Sequence, residues 1–220
     1  MGSILKTYLR KLVTKFLPNI DILREDIHWR FLGKTLINVT TEKWTKINPP
    51  YHISNTNIGK GTYISQNARI SMAKIGRFCS IGPNFFCGWG IHPVSGVSTS
   101  PMFYSTRKQN GYSLSEQNKV EERKDIQIGN DVFIGLNVTV LDGVSIGDGA
   151  VIGAGVVVSK DIPPYAVVIG NPPEILKYRF DELQREQLQK IKWWDFDDEH
   201  LKIVEKYFFD IEQFIVHAKS

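Results

Sequence analysis

Residues 128–158 read IGNDVF IGLNVT VLDGVS IGDGAV IGAGVV V, so that an aliphatic residue opens every group of six. A second aliphatic or small residue follows four places after each of these. A helix of 3.6 residues per turn would spread this repeat around its surface, and an alternating strand has no place for the Gly-Asn-Asp and Gly-Asp-Gly segments. The spacing favours short strands joined at corners, where Gly or Asn adopts positive φ, and predicts a three-sided coil. The predicted interior rows are Ile128, Ile134, Val140, Ile146, Ile152 and Val158, and Val132, Val138, Val144, Ala150, Val156 and Ile162.

An earlier stretch follows the same rule with one slip. Ile58, Ile64 and Ile70 are evenly spaced, and the spacing resumes one residue early at Ile75 and continues through Ile81 to Cys87. We interpret the slip as an adjusted corner. The two stretches predict about four coils of three hexads each, and we assign the solenoid to residues 47–170. A β-sandwich, the alternative all-β fold, rarely keeps such a register unbroken.

Residues 88–125 separate the two stretches and abandon the period. They carry Trp89, His92, two tyrosines and many polar groups, and we predict that they form a loop inserted into the solenoid. Loops that leave a rigid scaffold are where binding and catalytic groups concentrate. The chemistry is therefore expected in this loop first.

The two ends of the chain lack the hexad pattern. Residues 1–46 are predicted to form an N-terminal helical or extended segment, and residues 171–220 to form helices that cap the open end of the solenoid. Apolar residues within 4–17 recur at helical spacing opposite Lys6, Arg10, Lys11 and Lys15. A basic amphipathic helix of this kind either lies on an anionic membrane surface or packs on the protein, and both interpretations stay open here.

The composition excludes several classes of protein. The 220 residues are 42% hydrophobic and 23% charged, which excludes a disordered or collagen-like chain. The net charge of +4 resides in residues 1–20, because the other residues hold 23 basic and 23 acidic groups, so no nucleic-acid partner is predicted. With two cysteines, no secretory leader and no apolar run of about 18 residues, we expect a cytoplasmic protein. It would be peripheral at the inner face of the membrane if residues 4–17 bind lipid.

Several motifs resemble those of the hexapeptide-repeat acetyltransferases, in the subgroup of xenobiotic acetyltransferases and polysaccharide O-acetyltransferases. The motifs are GRFCSIG at 76–82, DVFIG at 131–135, GAG at 153–155, SKDIPPY at 159–165, GNP at 170–172 and WWDF at 193–196. The resemblance implies a left-handed parallel β-helix, an acetyl-CoA-dependent enzyme, and a homotrimer with active sites in the grooves between subunits. Phe133 stands where the family usually has Trp, and Pro173 where it usually has Ala.

Acetyl transfer to a hydroxyl or amine needs a base for the acceptor proton and a donor for the developing oxyanion. Of the five histidines only His92 lies in the loop, and the resemblance implies that it is the catalytic base of a direct transfer through a ternary complex. The resemblance also implies that the backbone N–H of Leu136 donates to the oxyanion from the adjacent subunit. Whether a backbone carbonyl or a carboxylate such as Glu116, Glu121 or Glu122 orients His92 stays open.

The same resemblance assigns residues to the two substrates. It implies that the pantetheine arm of acetyl-CoA passes along Ala154, and that the CoA phosphates lie near Ser159, Lys160 and Lys177. Candidate acceptor contacts, with turn or packing roles as the alternative, are Asn84, Trp89, Ser98, Thr99 and Tyr104. Among these, Trp89 is the candidate for stacking on a sugar ring.

Cys79 and Cys87 raise the rival hypothesis of an acyl-cysteine intermediate. Both occupy interior positions of their hexads, so we predict that they are buried and inert.

We therefore predict an acetyl-CoA-dependent O-acetyltransferase that acts on a sugar or a bacterial surface polysaccharide without a metal ion. The alternatives are a xenobiotic (antibiotic) acetyltransferase and an N-acetyltransferase of an amino-sugar nucleotide. A catalytically inactive scaffold is disfavoured, because the loop, the histidine and the CoA-binding motifs occur together.

Overall fold

The structure is a computed structural model that describes residues 33–218. The predicted basic helix at residues 4–17, and with it the question of membrane contact, lies outside the described residues. The strands are β1 (Lys34–Thr41), β2 (Lys46–Ile47), β3 (Tyr51–Ile58), β4 (Tyr63–Ile64), β5 (Ala68–Ile75), β6 (Ser80–Ile81), β7 (Phe86–Cys87), β8 (Ile126–Ile128), β9 (Phe133–Ile134), β10 (Thr139–Val140), β11 (Ser145–Ile146), β12 (Val151–Ile152), β13 (Val157–Val158), β14 (Ala166–Ile169) and β15 (Glu174–Tyr178). They are followed by helices α1 (Glu182–Ile191), α2 (Leu201–Lys206) and α3 (Ile211–His217), and two 3-10 turns lie at Pro101–Phe103 and Trp193–Asp195.

The strands stack into the three faces of a left-handed parallel β-helix, as predicted. Face A consists of the first halves of β1, β3 and β5, followed by β7, β10 and β13. Face C consists of the second halves of β1, β3 and β5, followed by β8 and β11. Face B consists of β2, β4, β6, β9, β12 and β14, and β15 adds to it as an antiparallel strand. The chain passes each coil in the order A, C, B, and we name the corners between faces A–C, C–B and B–A.

The solenoid is longer than the sequence predicted. Among the described residues it extends back to Lys34, beyond the predicted start at residue 47, because β1 pairs in parallel with β3 from Lys34 onward. Face A holds six strands, in the order β1, β3, β5, β7, β10, β13, where about four coils were expected. The first described coil escaped detection because residues in register with the interior row of the next coil include polar ones such as Thr41, which pairs with Ile58.

The predicted rows form the core. Every residue of the two rows in 128–162 is at most 5% exposed, and Ile58, Ile64, Ile70, Ile75 and Ile81 continue them downward. Each enclosed aliphatic side chain contributes about 1.5–3 kcal/mol relative to an exposed one, so this column is the main source of stability.

The slip between Ile70 and Ile75 is a shortened corner, as interpreted from the sequence. In the three lowest coils a single residue with positive φ turns the chain from face A to face C: Asn38 (53°), Asn55 (47°) and Met72 (54°). The loop of residues 88–125 leaves at this same A–C corner, one coil above Met72. The loop is thus inserted at the corner whose length already differs between coils.

The C-terminal helices lie along the C–B corner and do not cap the end of the solenoid, which corrects the predicted arrangement. From the upper to the lower coils, Gln189 bonds to Asp148 (3.2 Å), the Trp193 ring contacts Phe78 (5.3 Å between centroids) and Asp198 pairs with Lys60 (2.8 Å). Leu188, Trp194, Phe214 and Ile215 are buried in this contact region, whereas Leu183 and Phe208 are largely exposed. The helices leave the A–C and B–A corners uncovered.

Within residues 33–218, none of the helices has the length and hydropathy that a membrane span requires.

Close backbone contact between coils requires glycine at the C–B corner. Gly59, Gly76, Gly129 and Gly147 stack there, and each closely faces the backbone of the next coil. A Cβ atom added to Gly76 would lie 2.5 Å from the Gly129 carbonyl oxygen, well inside van der Waals contact. Since Gly76 does not have positive φ, space alone excludes a side chain.

Substitution Gly76→Ala is therefore expected to lower the free energy of unfolding by about 1–3 kcal/mol, the usual result of overpacking a rigid contact. Urea unfolding followed by circular dichroism measures the change. Gly96→Ala is the matched control, because its added Cβ lies in the loop at 3.3 Å from its nearest neighbour; a shift of less than about 0.5 kcal/mol is expected. Equal midpoints for Gly76→Ala and the wild type would contradict the close contact.

Candidate active site

The inserted loop is folded and has buried polar side chains of its own. Glu122 is buried, and its carboxylate accepts hydrogen bonds from Ser105 Oγ (2.7 Å) and Gln109 Nε2 (2.6 Å). The Lys119 N–H donates to the Tyr104 carbonyl (2.8 Å), which ties the two halves of the loop together. Glu122 was one of the candidate partners of His92, and these contacts show that its carboxylate is used inside the loop instead.

His92 projects an exposed imidazole from this loop. Its Nδ1 atom lies 2.9 Å from the Thr99 carbonyl oxygen and 2.9 Å from the Tyr104 hydroxyl. Because a carbonyl oxygen can only accept, a hydrogen bond to Thr99 requires the proton on Nδ1. In that tautomer the Tyr104 hydroxyl oxygen also accepts from Nδ1, and the lone pair of Nε2 is available. A backbone carbonyl is thus the group that orients His92 in the structure.

Tyr104 lies beneath His92 and not at the surface. It is 5% exposed, and its ring meets the imidazole edge-on at 6.3 Å between centroids. Burial, together with the charge of Glu122, raises the pKa of Tyr104, so the hydroxyl stays protonated at neutral pH. This position does not support the predicted contact with an acceptor; it makes Tyr104 a second support for the imidazole.

Trp89 and Asn84 have different surroundings. Trp89 is 55% exposed, and its ring lies 5.9 Å from that of His52 on face A. Asn84 lies in the B–A corner, where its side chain accepts from Asn67 (2.9 Å) and donates to Asn137 (2.8 Å). Of the two, Trp89 presents a surface for a ligand, whereas the amide of Asn84 is engaged in a ladder between coils.

Leu136 and Ala154 occupy adjacent coils of the B–A corner. A Cβ on Gly135 would lie 2.7 Å from the Ala154 nitrogen, so the two turns are in direct contact. Ala154 is exposed and has a small side chain. No group among residues 33–218 accepts a hydrogen bond from the Leu136 N–H. An unused backbone donor beside an exposed alanine is consistent with a site that receives a carbonyl or oxyanion.

The three residues predicted to bind the CoA phosphates are all exposed. Ser159 and Lys160 follow β13 at the A–C corner, whereas Lys177 lies in β15 on face B, paired with Val167. Within one chain the structure therefore does not bring Lys160 and Lys177 to the same corner. Neither lysine forms an ion pair with the residues that the structure describes.

Sequence reasoning missed Asp142, which lies in the coil above the departure point of the loop. Its side chain is 2% exposed and pairs with Arg123 at 3.0 Å. Burial alone would raise the pKa of Asp142, but hydrogen bonds from Gly90, Arg123 and Lys124 outweigh it and hold the pKa below its usual value. The strand register could have identified the residue, since Phe86 pairs with Thr139, which sets Trp89 opposite Asp142.

Both cysteines are fully buried and free, as predicted. Burial raises the pKa of Cys79 to about 12 and also raises the pKa of Cys87. A thiol with a raised pKa holds its proton at neutral pH and is a poor nucleophile. Within residues 33–218 there is no group of His, Cys, Asp and Glu side chains arranged to hold a metal ion.

The native protein is accordingly expected to leave Ellman's reagent unreacted at about pH 8, far below a pKa of about 12, where reactive thiolate is scarce. The same protein in guanidinium chloride should release thionitrobenzoate from both cysteines. Absorbance of the released thiol measures both states. Rapid labelling of the native protein would contradict the burial of these side chains.

Comparison with known proteins gives one matching family model, described as a hexapeptide repeat of succinyl-transferase, over residues 125–160. A chloramphenicol acetyltransferase of Agrobacterium fabrum is 38% identical over 131 residues, which cover 58% of this chain and 62% of the relative. The chain thus spans less than two thirds of that protein. A probable macrolide acetyltransferase of Lysinibacillus sphaericus is 38% identical over 130 residues, which cover 58% of this chain and 71% of the relative.

Two solved structures are similar in fold and sequence. A hexapeptide-repeat acetyltransferase of Vibrio cholerae, complexed with acetyl-CoA, has a TM-score of 0.52 and 26% identity, covering 73% of this chain and 79% of the other. A maltose O-acetyltransferase of Clostridium difficile has a TM-score of 0.51 and 25% identity, covering 72% of this chain and 75% of the other.

Proposed function

This chain belongs to the hexapeptide-repeat acetyltransferase family, and we propose that it transfers an acetyl group from acetyl-CoA to a hydroxyl of a sugar or bacterial surface polysaccharide. The observation that carries the proposal is the exposed imidazole of His92, held through Nδ1 by the Thr99 carbonyl. The solved Vibrio cholerae relative was complexed with acetyl-CoA, which supports the choice of donor.

His92 acts as the general base in this proposal. Its Nε2 accepts the proton of the acceptor hydroxyl while the acceptor oxygen attacks the thioester carbonyl carbon. When the tetrahedral intermediate collapses, the carbon–sulfur bond breaks and the imidazolium returns the proton to the departing CoA thiolate. The transfer is direct, since both cysteines are buried.

The oxyanion donor is the backbone N–H of Leu136 of the partner subunit. Within one chain, His92 leaves the A–C corner and Leu136 lies at the B–A corner, with strand β10 of face A between them. The four residues from Asn137 to Val140 span about 13 Å at about 3.3 Å per residue. A second copy that brings its B–A corner to the loop would supply the donor.

The outer surfaces of the three faces support assembly into a homotrimer. Face C presents only polar side chains outward: Thr40, Asn57, Lys74, Gln127 and Ser145. Face A presents Phe86 and Val157, and face B presents Tyr63 and Phe133, all of them exposed. Exposed apolar surface of this kind marks association sites, so subunits would meet through faces A and B.

The acetyl-CoA subsite would be completed by residues along the corners. The small side chain of Ala154 permits the pantetheine arm to pass close to the backbone. Lys160 and Lys177 supply positive charge toward the phosphates, with Ser159 as a hydroxyl donor. Since Lys160 and Lys177 occupy different corners of one chain, an intersubunit groove would combine lysines from two copies.

The acceptor is proposed from the exposed Trp89 ring and from the relatives. An indole face stacks well on the apolar face of a sugar, and one solved relative is a maltose O-acetyltransferase. The curated relatives are a chloramphenicol acetyltransferase and a probable macrolide acetyltransferase, which keeps an antibiotic acceptor as the second candidate, beside an amino-sugar nucleotide. We place the reaction in the cytoplasm, because the cysteines are unpaired.

Replacement of Lys160 by Ala is expected to raise the KM for acetyl-CoA about 5- to 20-fold and to leave kcat within about twofold, because a phosphate contact far from the thioester contributes uniform binding. Initial rates at varied acetyl-CoA measure both constants. Lys206→Ala, in α2, is the control and should change neither. An unchanged KM would remove Lys160 from the CoA subsite.

Replacement of His92 by Ala is expected to lower kcat about 10²- to 10⁴-fold, the usual effect of losing a general base, while acetyl-CoA binding and the melting temperature are retained. The matched control is His200→Ala, since His200 is also exposed but pairs with Asp197 in the C-terminal region. Turnover within threefold of wild type would contradict the assignment.

The assay should follow thiol release from acetyl-CoA across free sugars, oligosaccharides, nucleotide sugars, chloramphenicol and a macrolide. The highest kcat/KM on a glycan hydroxyl would support the proposed acceptor. Faster turnover of chloramphenicol or the macrolide would establish the second candidate in its place, and no release above hydrolysis with any acceptor would contradict the proposed function.

A further inference from the structure

The Asp142 carboxylate contacts both ends of the inserted loop. Its Oδ2 accepts hydrogen bonds from the backbone N–H groups of Trp89 and Gly90, each at 2.9 Å. Its Oδ1 accepts from Arg123 Nε at 3.0 Å and from the Lys124 N–H at 3.3 Å. One oxygen therefore holds the segment that leaves the solenoid, and the other holds the segment that returns.

The corner that carries Asp142 is shaped for this contact. Gly143 follows with φ of 83°, a conformation that L side chains rarely adopt, and a Cβ there would lie 3.1 Å from the Lys124 side chain. Arg123 continues past Asp142 and donates to Ser71 Oγ at 2.9 Å, in the coil below the loop. The base of the loop is thus held between the coil above, through Asp142, and the coil below, through Ser71.

The base of the loop leads directly to His92. The Ile91 N–H donates to the Glu122 carbonyl at 2.8 Å, which joins the outgoing and returning segments one step beyond Gly90. His92 follows, with its Nδ1 held by the Thr99 carbonyl. A displacement at Gly90 would therefore be transmitted to the imidazole through two intervening peptide bonds.

We propose that Asp142 is a positioning residue for His92: its carboxylate fixes both ends of the loop at once and so sets the place of the imidazole relative to the acceptor. The effect on catalysis rests on the proposed function. The contacts by which Asp142 holds the two ends of the loop do not depend on it. The Asp142 carboxylate is buried, and it acts through Trp89, Gly90 and Arg123.

A carboxylate is needed because all four of its contacts are donors. Substitution Asp142→Asn keeps the shape but replaces one acceptor oxygen by an NH₂ group, which cannot accept and would face donors. Whichever way the amide turns, one end of the loop loses its partners. Hydrogen bonds to charged groups are among the stronger ones, so the loss is large enough to loosen the loop.

The experiment compares the full chain carrying Asp142→Asn with the wild type and with Asp148→Asn. Asp148 is the matched control, because its carboxylate also bridges coils, accepting from the Asn130 N–H (2.7 Å) and from Gln189 (3.2 Å), but at the C–B corner without the loop. Amide hydrogen exchange is measured over residues 89–124 and over the coils, and kcat and the KM for acetyl-CoA are measured on the best acceptor.

Asp142→Asn is expected to speed exchange within residues 89–124 about 10-fold or more and to leave the coils unchanged. It should lower kcat about 10- to 100-fold while the KM for acetyl-CoA stays within about twofold, since misplacement of a catalytic group affects the chemical step. Asp148→Asn should change neither loop exchange nor kcat. If Asp142→Asn fails to fold, Arg123→Gln, which removes one of the four contacts, should shift loop exchange and kcat in the same directions by smaller factors.

Unchanged loop exchange in Asp142→Asn would overturn the proposal whatever the activity. Faster loop exchange with unchanged kcat would also overturn it, because the loop would then be fixed without consequence for His92. A wild-type protein with no transferase activity would contradict the proposed function, and loop exchange would still decide whether Asp142 holds the loop.

Discussion

The structure depends on close stacking of each coil on the next through backbone contact at the corners. At the C–B corner the contact is so close that a Cβ on Gly129 would lie 2.7 Å from the Asp148 nitrogen. Such contact requires successive coils to have nearly the same perimeter and to keep their register. An insertion can therefore leave the solenoid only at a corner, and its two ends must return to adjoining positions in the stack.

The three corners of the coil carry different structural features. The C–B corner, lined with glycine, receives the C-terminal helices and contributes to stability. The B–A corner presents the small side chain of Ala154 and the N–H of Leu136, which has no acceptor among residues 33–218. The loop with His92 leaves the solenoid at the A–C corner. Face A lies between the B–A corner and the A–C corner. Because the described helices lie along the third corner, they leave face A uncovered.

The hexads in residues 128–162 were sufficient to predict the fold, because interior positions of a stacked coil admit only aliphatic or small side chains. His92 could be proposed as a candidate base from the sequence because it is the histidine of the segment that breaks the period. The coil of β1 could not be predicted, since polar residues such as Thr41 stand in register with the interior row of the next coil and interrupt the aliphatic pattern. The burial of Tyr104 and the contacts of Asp142 depend on the path of the loop, and the loop sequence has no repeat from which that path could be predicted. The position of the helices depends on charged pairs such as Arg77 with Asp195, which lie far apart in the chain.

In a simple solenoid each repeat touches only its neighbours, so either end can unwind independently of the other. Here the carboxyl-terminal segment returns to the earliest coils, where Asp198 reaches both Lys43 and Lys60. This long-range contact acts as a strap between the C-terminal helical region and the lowest coils that the structure describes. Fraying of the bottom coil must break the strap as well, so the array gains a cooperativity that nearest-neighbour stacking does not supply. The lower coils are therefore fully held only while the C-terminal region stays docked along the C–B corner.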